Sequence, residues 1–465
     1  METQPNSSCI NYYILPFIIF IEGLVSIAIE ILTIRQLLPV AGGSIIVTSL
    51  IIGIFLLFLA LGYHAGGKIQ KNFRKSLYIN FILAACWLGI GLSYQFISLF
   101  FDSIQKIMGF HIIYPLIAYL LLILAPLIYL LGQTVPITMN MAKQNRSVGM
   151  IGGDTLSLST LGSFLGAVLT TLLFMHYLGV AWTVFVNFLL IILLTFLVTD
   201  SSKIIFQSIL AIIATGFVYV MNVSMENNLF ILTNNYANYQ ILDEHNSNLK
   251  YKEKILQINN SFSSSINDSQ QGFPYIEMIK KILFDELKLR GTNILVLGAG
   301  GFTLSAKDNY QNHITYVDID LNIKDIVVPK FIPRLNSEFI ADDARHYLLF
   351  TKKQYQAIVV DVYSNTKTIP NHLLTKEYIQ AIQNKLLPQG TAIFNMIAKP
   401  TLSDPYSKRI DNTIRDVFKS CMVTPIVYGD KMTNILYICS NAANQAERTI
   451  YTDNRNNSTT DSFDW

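Results

Sequence analysis

The chain has 465 residues, of which 51% are hydrophobic and only 14% charged, with a net charge of +3. Soluble proteins carry about a quarter charged residues, so part of this chain is expected in lipid, and so small a positive balance argues against nucleic acid as a partner. The four cysteines, Cys9, Cys86, Cys421 and Cys439, lie far apart and show neither metal-ligand spacing nor a disulfide framework, and no metal site is expected.

Residues 1–222 read as a multi-pass membrane domain. A spanning helix needs about 20 apolar residues, and about seven such blocks follow one another: 11–33, 44–66, 77–101, 112–133, 150–174, 180–199 and 204–222. The first lacks a basic leader and is interrupted by Glu22 and Glu30, which does not suit a cleaved signal peptide. Those glutamates are two helical turns apart and share a face. With His64 and Asp154 they are the few ionisable groups in the spans, expected toward the bundle interior or an interface. Gly162 and Gly166 offer a small-residue packing contact. Lys68, Lys71, Arg74 and Lys75 crowd the second loop, Lys143 and Arg146 the fourth, and Lys203 the sixth, against Arg35 and Lys106 on the other side. The positive-inside rule therefore puts the even loops and the N-terminus in the cytoplasm.

The polar half reads as a soluble α/β domain. Short strands at Phe230–Leu232, Tyr239–Leu242 and Ile255–Asn259 form a small β cap over 223–270. Tyr275–Leu289 follows as an amphipathic helix, with Ile276, Ile279, Leu283 and Leu287 on one side. Strands at Ile294–Leu297, Thr315–Asp318, Ser337–Ile340, Ala357–Asp361 and Ala392–Met396 then alternate with helices near 343–351, 374–386 and 406–419. Alternation of this kind implies a parallel sheet with helices on both faces. Val423–Tyr428 and Ile435–Cys439 close the 271–441 domain as an antiparallel pair, and 442–465 reads as a disordered tail. The expected fold is thus an α-helical membrane bundle followed by an α/β Rossmann-like, methyltransferase-type domain with a small N-terminal β cap.

The chemistry-bearing residues sit at strand ends. Gly298, Gly300 and Gly301 follow the first strand, where glycine lets the backbone approach a ligand. Asp318 ends the second strand, where a carboxylate can accept both hydroxyls of a ribose; the alternative is a helix N-cap. Asp342-Asp343-Ala344-Arg345 follows the third: an acid here can accept the exocyclic amine of adenine or cap a helix, and Arg345 can pair with either acid. Asp361 closes the fourth strand, at the mouth of the sheet, placed to take a proton from an attacking amine or simply to shape a turn.

In order, Tyr275-Ile276-Glu277, the glycine turn, Val317-Asp318-Ile319-Asp320, Asp343-Ala344-Arg345 and Asp361 resemble the spermidine synthase (polyamine aminopropyltransferase) family over roughly residues 236–440. Asp361-Val362-Tyr363-Ser364 through Thr375, with Glu30–Arg35 and Gly132–Pro136 in the apolar half, is similar to its membrane-fused branch. The resemblance implies transfer of an aminopropyl group from decarboxylated S-adenosylmethionine, as cosubstrate, to a small amine, with no permanently bound cofactor. Asp361 and Tyr275 would be catalytic. Gly298, Gly300, Gly301, Asp318, Asp343 and Ala344 would hold the nucleoside, and Glu277, Tyr363 and Ser364 the amine. Soluble members carry a second acid where this chain has Ser364, a histidine where it has Ile276, an acid where it has Phe302, and an acidic gate that is thinned here to Asp268. A diamine dication needs paired carboxylates, so the acceptor is left open. Two other readings stay open: a membrane transport or assembly protein whose synthase-like domain senses a ligand, and an S-adenosylmethionine-dependent methyltransferase. The expected partners are the lipid bilayer and a small amine, with a homodimer left open. The expected location is the inner membrane with the soluble domain in the cytoplasm, which needs an even span count and conflicts with seven.

Overall fold

The computed structural model describes residues 14–108, 111–142, 147–245, 252–306, 310–363 and 369–440, together with 452–454, 456 and 458. The chain divides into two compact units, one made largely of residues up to Leu229 and one of residues from Tyr236 onward.

The first unit is helical. Among the described residues six helices are long and apolar enough to cross a membrane: Leu15–Ala41, Ile45–Gly67, Ile113–Met141, Val148–Leu178, Val180–Val198 and Ile204–Leu229. A seventh candidate is the pair Phe73–Gly91 and Tyr94–Ile107, bent by 73°. The expected straight span over 77–101 is therefore broken at Leu92–Ser93, and the last helix continues to Leu229 rather than stopping at 222. The helix Leu15–Ala41 lies against Val148–Leu178 at backbone distance. A Cβ on Gly162 would sit 2.1 Å from the Phe20 carbonyl oxygen, so only glycine fits there. Glu22 is buried and accepts a bond from Ser26 Oγ at 2.7 Å, while His64 and Asp154 are exposed on this unit.

Polar contacts tie the helix ends into two groups. At one end Arg74 donates to the Val198 carbonyl (2.7 Å) and pairs with Asp200 (3.0 Å), and Asn140 donates to the Ile69 carbonyl (3.1 Å). At the other, Gln36 donates to the Leu92 carbonyl (3.0 Å), Ser93 to the Met221 carbonyl (3.1 Å) and the Ala181 amide to Glu226 (3.0 Å).

The second unit holds two sheets. Strands β1 (Leu232–Thr233), β2 (Asn238–His245), β3 (Lys252–Ile258) and β4 (Ser261–Asn267) pair in sequence order, with β2–β3 and β3–β4 antiparallel. β4 has no counterpart in the sequence reading, because its Ser-rich run lacks the apolar alternation that marks a strand. The main sheet contains β5 (Asn293–Leu297), β6 (His313–Asp318), β7 (Glu338–Ala341), β8 (Tyr355–Val360), β9 (Leu386–Ala398), β10 (Ser420–Pro425) and β11 (Thr433–Ser440). Its order is β10-β11-β9-β8-β5-β6-β7, parallel from β9 to β7 and antiparallel at β9–β11–β10.

Successive side chains of a strand point to opposite faces. Leu295 and Leu297 accordingly join one core cluster, and Ile294 and Val296 the other. Helices Ala344–Phe350, Lys376–Asn384 and Pro405–Val417 pack on the first face. On the second face the segment beginning Pro274–Lys280 buries Ile276, Ile279 and Leu283; its next turn, Lys281–Glu286, is π-helical, and Leu287 is exposed.

Two expectations are corrected. The cysteines do include a disulfide: antiparallel β10 and β11 set Cys421 opposite Cys439, and the two are bonded with Cα atoms 4.1 Å apart. Sequence separation could not show this, because register is a property of the folded pair. Nor is all of 442–465 without structure: Asp453 pairs with Arg345, and Asn456 and Ser458 bond Asn371. The rest of that tail lies outside the described residues.

Candidate active site

Along the chain β5, β6 and β7 are laid side by side, and β8 then returns to the other flank of β5. The strand order reverses there, and the crevice beyond the carboxyl ends at such a point is where open α/β sheets bind ligands. Gly298 and Asp361 immediately follow those two strands. Their backbones are so close that a Cβ on Gly298 would lie 2.1 Å from the Asp361 carbonyl oxygen. Gly298 and Gly300 also have positive φ, +91° and +48°, which supplies the second reason for glycine. The turn is braced from the cap: Ser264 Oγ accepts the Gly301 amide at 2.8 Å.

A cavity of about 440 Å³ opens above this point. Among the expected site residues, Tyr275, Gly298, Gly300, Asp318, Asp343, Ala344, Asp361 and Tyr363 line it. Gly301 is not among the lining residues, and neither is Glu277, which accepts the Gly272 amide (2.8 Å) and pairs with Lys280 (2.7 Å). Ser364 lies outside the described residues.

The three carboxylates are held differently. Asp318 accepts the Ala299 amide on one oxygen (2.9 Å) and the Asp320 amide on the other (3.1 Å), so it ties β6 to the glycine turn rather than capping a helix. Burial pushes its carboxyl up, and these amide bonds pull it partly back. Asp343 fulfils the capping expectation. It caps the helix Ala344–Phe350 through the Arg345 and His346 amides, each at 2.9 Å, and also lines the cavity. The hydrogen bond from His372 at 3.1 Å is the main reason its carboxyl lies at about 2. Arg345 pairs with neither neighbouring acid; it reaches Asp453 (2.9 Å) and the His372 carbonyl (3.1 Å) instead.

Asp361 accepts the Tyr275 hydroxyl on one oxygen (3.0 Å) and Asn395 Nδ2 on the other (2.9 Å). Burial raises its carboxyl, and the two donors oppose that rise. The Tyr275 phenol is driven well up, first by burial and then by the adjoining carboxylate, so it stays a donor. Asn395 is fixed in turn: Asn434 Nδ2 donates to its Oδ1 at 2.9 Å, and Tyr363 donates to its main-chain carbonyl at 3.1 Å. Asn395, Asn434 and His372 escaped the sequence reading. Asn395 lies mid-strand on β9 and Asn434 on β11, and an asparagine inside an apolar strand is the one signal that could have raised them.

The chain matches the spermine/spermidine synthase domain family over residues 272–448. Those residues belong to the spermine/spermidine synthase family. The chain is 28% identical over 157 residues to a polyamine aminopropyltransferase of Vibrio vulnificus, covering 32% of this chain and 51% of that protein. It is 27% identical over 208 residues to that of Sulfurisphaera tokodaii, covering 42% of this chain and 66% of the relative. The first of these relatives is thus matched over about half its length. A probable spermidine synthase from Corynebacterium glutamicum superposes with a TM-score of 0.38 at 21% identity, covering 45% of this chain and 79% of that one.

Proposed function

We propose that this chain is a membrane-anchored aminopropyltransferase that uses decarboxylated S-adenosylmethionine and a small amine. The observation that carries the reading is Asp361: a half-buried carboxylate at the switch point, fixed by Tyr275 and Asn395, in one cavity with Asp318, Asp343 and the glycine turn. In this reading Asp318 receives the ribose hydroxyls and Asp343 the adenine amine. The acceptor nitrogen attacks the carbon next to the sulfonium, a C–N bond forms, and the C–S bond breaks with its electron pair passing to sulfur. Methylthioadenosine leaves, and the surplus proton of the amine passes to Asp361. A sulfonium is already a good leaving group, so the protein's task is proximity and a deprotonated amine. Burial serves that task by raising Asp361 toward the range of a working base.

The test is to incubate the full-length chain in detergent with the donor and a panel of amines and to measure methylthioadenosine. Its amine-dependent formation is expected. Formation of S-adenosylhomocysteine from intact S-adenosylmethionine would replace this reading with methyl transfer. Nucleoside binding without turnover on any amine would replace it with a sensing domain.

A further inference from the structure

We propose that residues 236–440 face the oxidising, extracytoplasmic side of the membrane that the apolar helices cross. The first argument is the arrangement of helix ends in the bundle. Hydrogen bonds and an ion pair tie residues 69, 74, 140, 198 and 200 at one end, and 36, 92, 93, 181, 221 and 226 at the other. Leu15 and Pro16, near the beginning of the first helix, share a cavity with Thr138 and Asp154 and so belong to the first end. Phe73–Gly91 therefore runs the whole way from one end to the other, and the bend at Leu92–Ser93 follows after it has crossed. Ile113–Met141 runs back: Tyr119 donates to the Gly91 carbonyl at 2.9 Å near its start, and Asn140 reaches Ile69 near its finish. Among the described residues seven traverses result, and the helix Ile204–Leu229 finishes at the second end, where the chain leaves the bundle.

Charge distinguishes the two ends. Lys68, Lys71, Arg74, Lys75 and Lys203 fall in or beside the connections at the first end, against Arg35 and Lys106 at the second. The more basic end is retained in the cytoplasm, so the exit at Leu229 is on the far side.

The disulfide is an independent second argument. The bond between Cys421 and Cys439 belongs to the domain that follows that exit. Thiols in the cytosol are kept reduced, and structural disulfides persist in oxidising compartments. Forming the bond takes two protons and two electrons from the thiols, which a thiol–disulfide oxidant of that compartment accepts. The charge of the helix ends and the disulfide place the domain on the same side, independently of the catalytic role of Asp361. A consequence for the reaction follows: both the sulfonium nucleoside and the amine must reach the cavity from outside the cytoplasm, so a step that exports the donor has to precede this one.

The experiment uses full-length chain in intact cells, in a Cys9→Ala, Cys86→Ala background. Lys352→Cys, at an exposed site in the domain, and Lys71→Cys, at an exposed site in the basic loop, are treated separately with a membrane-impermeant maleimide. The expected result is labelling of Lys352→Cys in intact cells, and of Lys71→Cys only after permeabilisation. The reverse pattern, or equal labelling of both, overturns the proposal. Wild-type chain alkylated in the cell before lysis provides a readout that needs no variant. Intact mass should show Cys421 and Cys439 unmodified until a reductant is added; alkylation of both without reductant also overturns it. Neither result depends on whether the chain transfers an aminopropyl group.

Discussion

Replacing Asp361 by asparagine tests the assigned chemistry most directly. The carboxylate now accepts one donor on each oxygen, from Tyr275 and from Asn395. An amide of the same shape keeps one acceptor and turns a donor toward the other partner, so about one hydrogen bond is lost, worth about 0.5–1.5 kcal/mol. Removing a half-buried charge offsets part of that loss, and the fold should survive with a small shift in unfolding midpoint. Turnover should fall by about 10²–10⁴-fold, the range for losing a positioned base, or about 2.7–5.4 kcal/mol in the barrier. Affinity for methylthioadenosine should change little, because Asp318 and Asp343 are held by separate backbone and histidine contacts. The assays are methylthioadenosine release under saturating donor and calorimetry with the product nucleoside, both on full-length protein. Activity within about threefold of wild type would refute the role of Asp361. Nucleoside affinity lost in step with turnover would show that the variant disturbs the whole cavity rather than the base.

Other outcomes follow from the same geometry. Asn395→Ala removes a donor that favours ionised Asp361, so that carboxyl rises further, and the acid limb of kcat/KM should move to higher pH by on the order of one unit. A limb that stays in place or moves to lower pH would contradict it. Gly298→Ala puts a Cβ 2.1 Å from the Asp361 carbonyl and asks a non-glycine residue to hold φ +91°. The cost should be about 1–3 kcal/mol in stability, with a marked loss of turnover, read by thermal unfolding and product release. Cys421→Ser opens a link spanning 18 residues of sequence and should lower stability by about 3 kcal/mol, the same shift that reductant produces in the wild type.

The sequence determined the pieces whose physics is local. Twenty-residue apolar runs announce helices for lipid, because an unpaired backbone polar group there is too costly. The strand Ile294–Leu297 running into Gly298, and Asp318 about twenty residues on, announce a nucleotide-type crevice, because both the turn and the acid are set by position along the chain. Asp343 and Asp361 were legible for the same reason: each sits where a strand stops. Tertiary structure alone decided what depends on register and on partners distant in sequence. Asn395 reaches Asp361, and Asn434 reaches Asn395, only because β9 lies beside β8 and pairs antiparallel with β11. His372 meets Asp343 across 29 residues, and Arg345 turns from its neighbouring acids to Asp453 across 108. The Cys421–Cys439 bond exists because one strand register sets the two residues face to face. The bundle follows the same division. Apolar length fixed which segments are helical, but whether Phe73–Gly91 makes a full traverse was settled by Arg74 at one end and the Leu92 carbonyl at the other. Hydropathy along a chain carries no information about which ends meet.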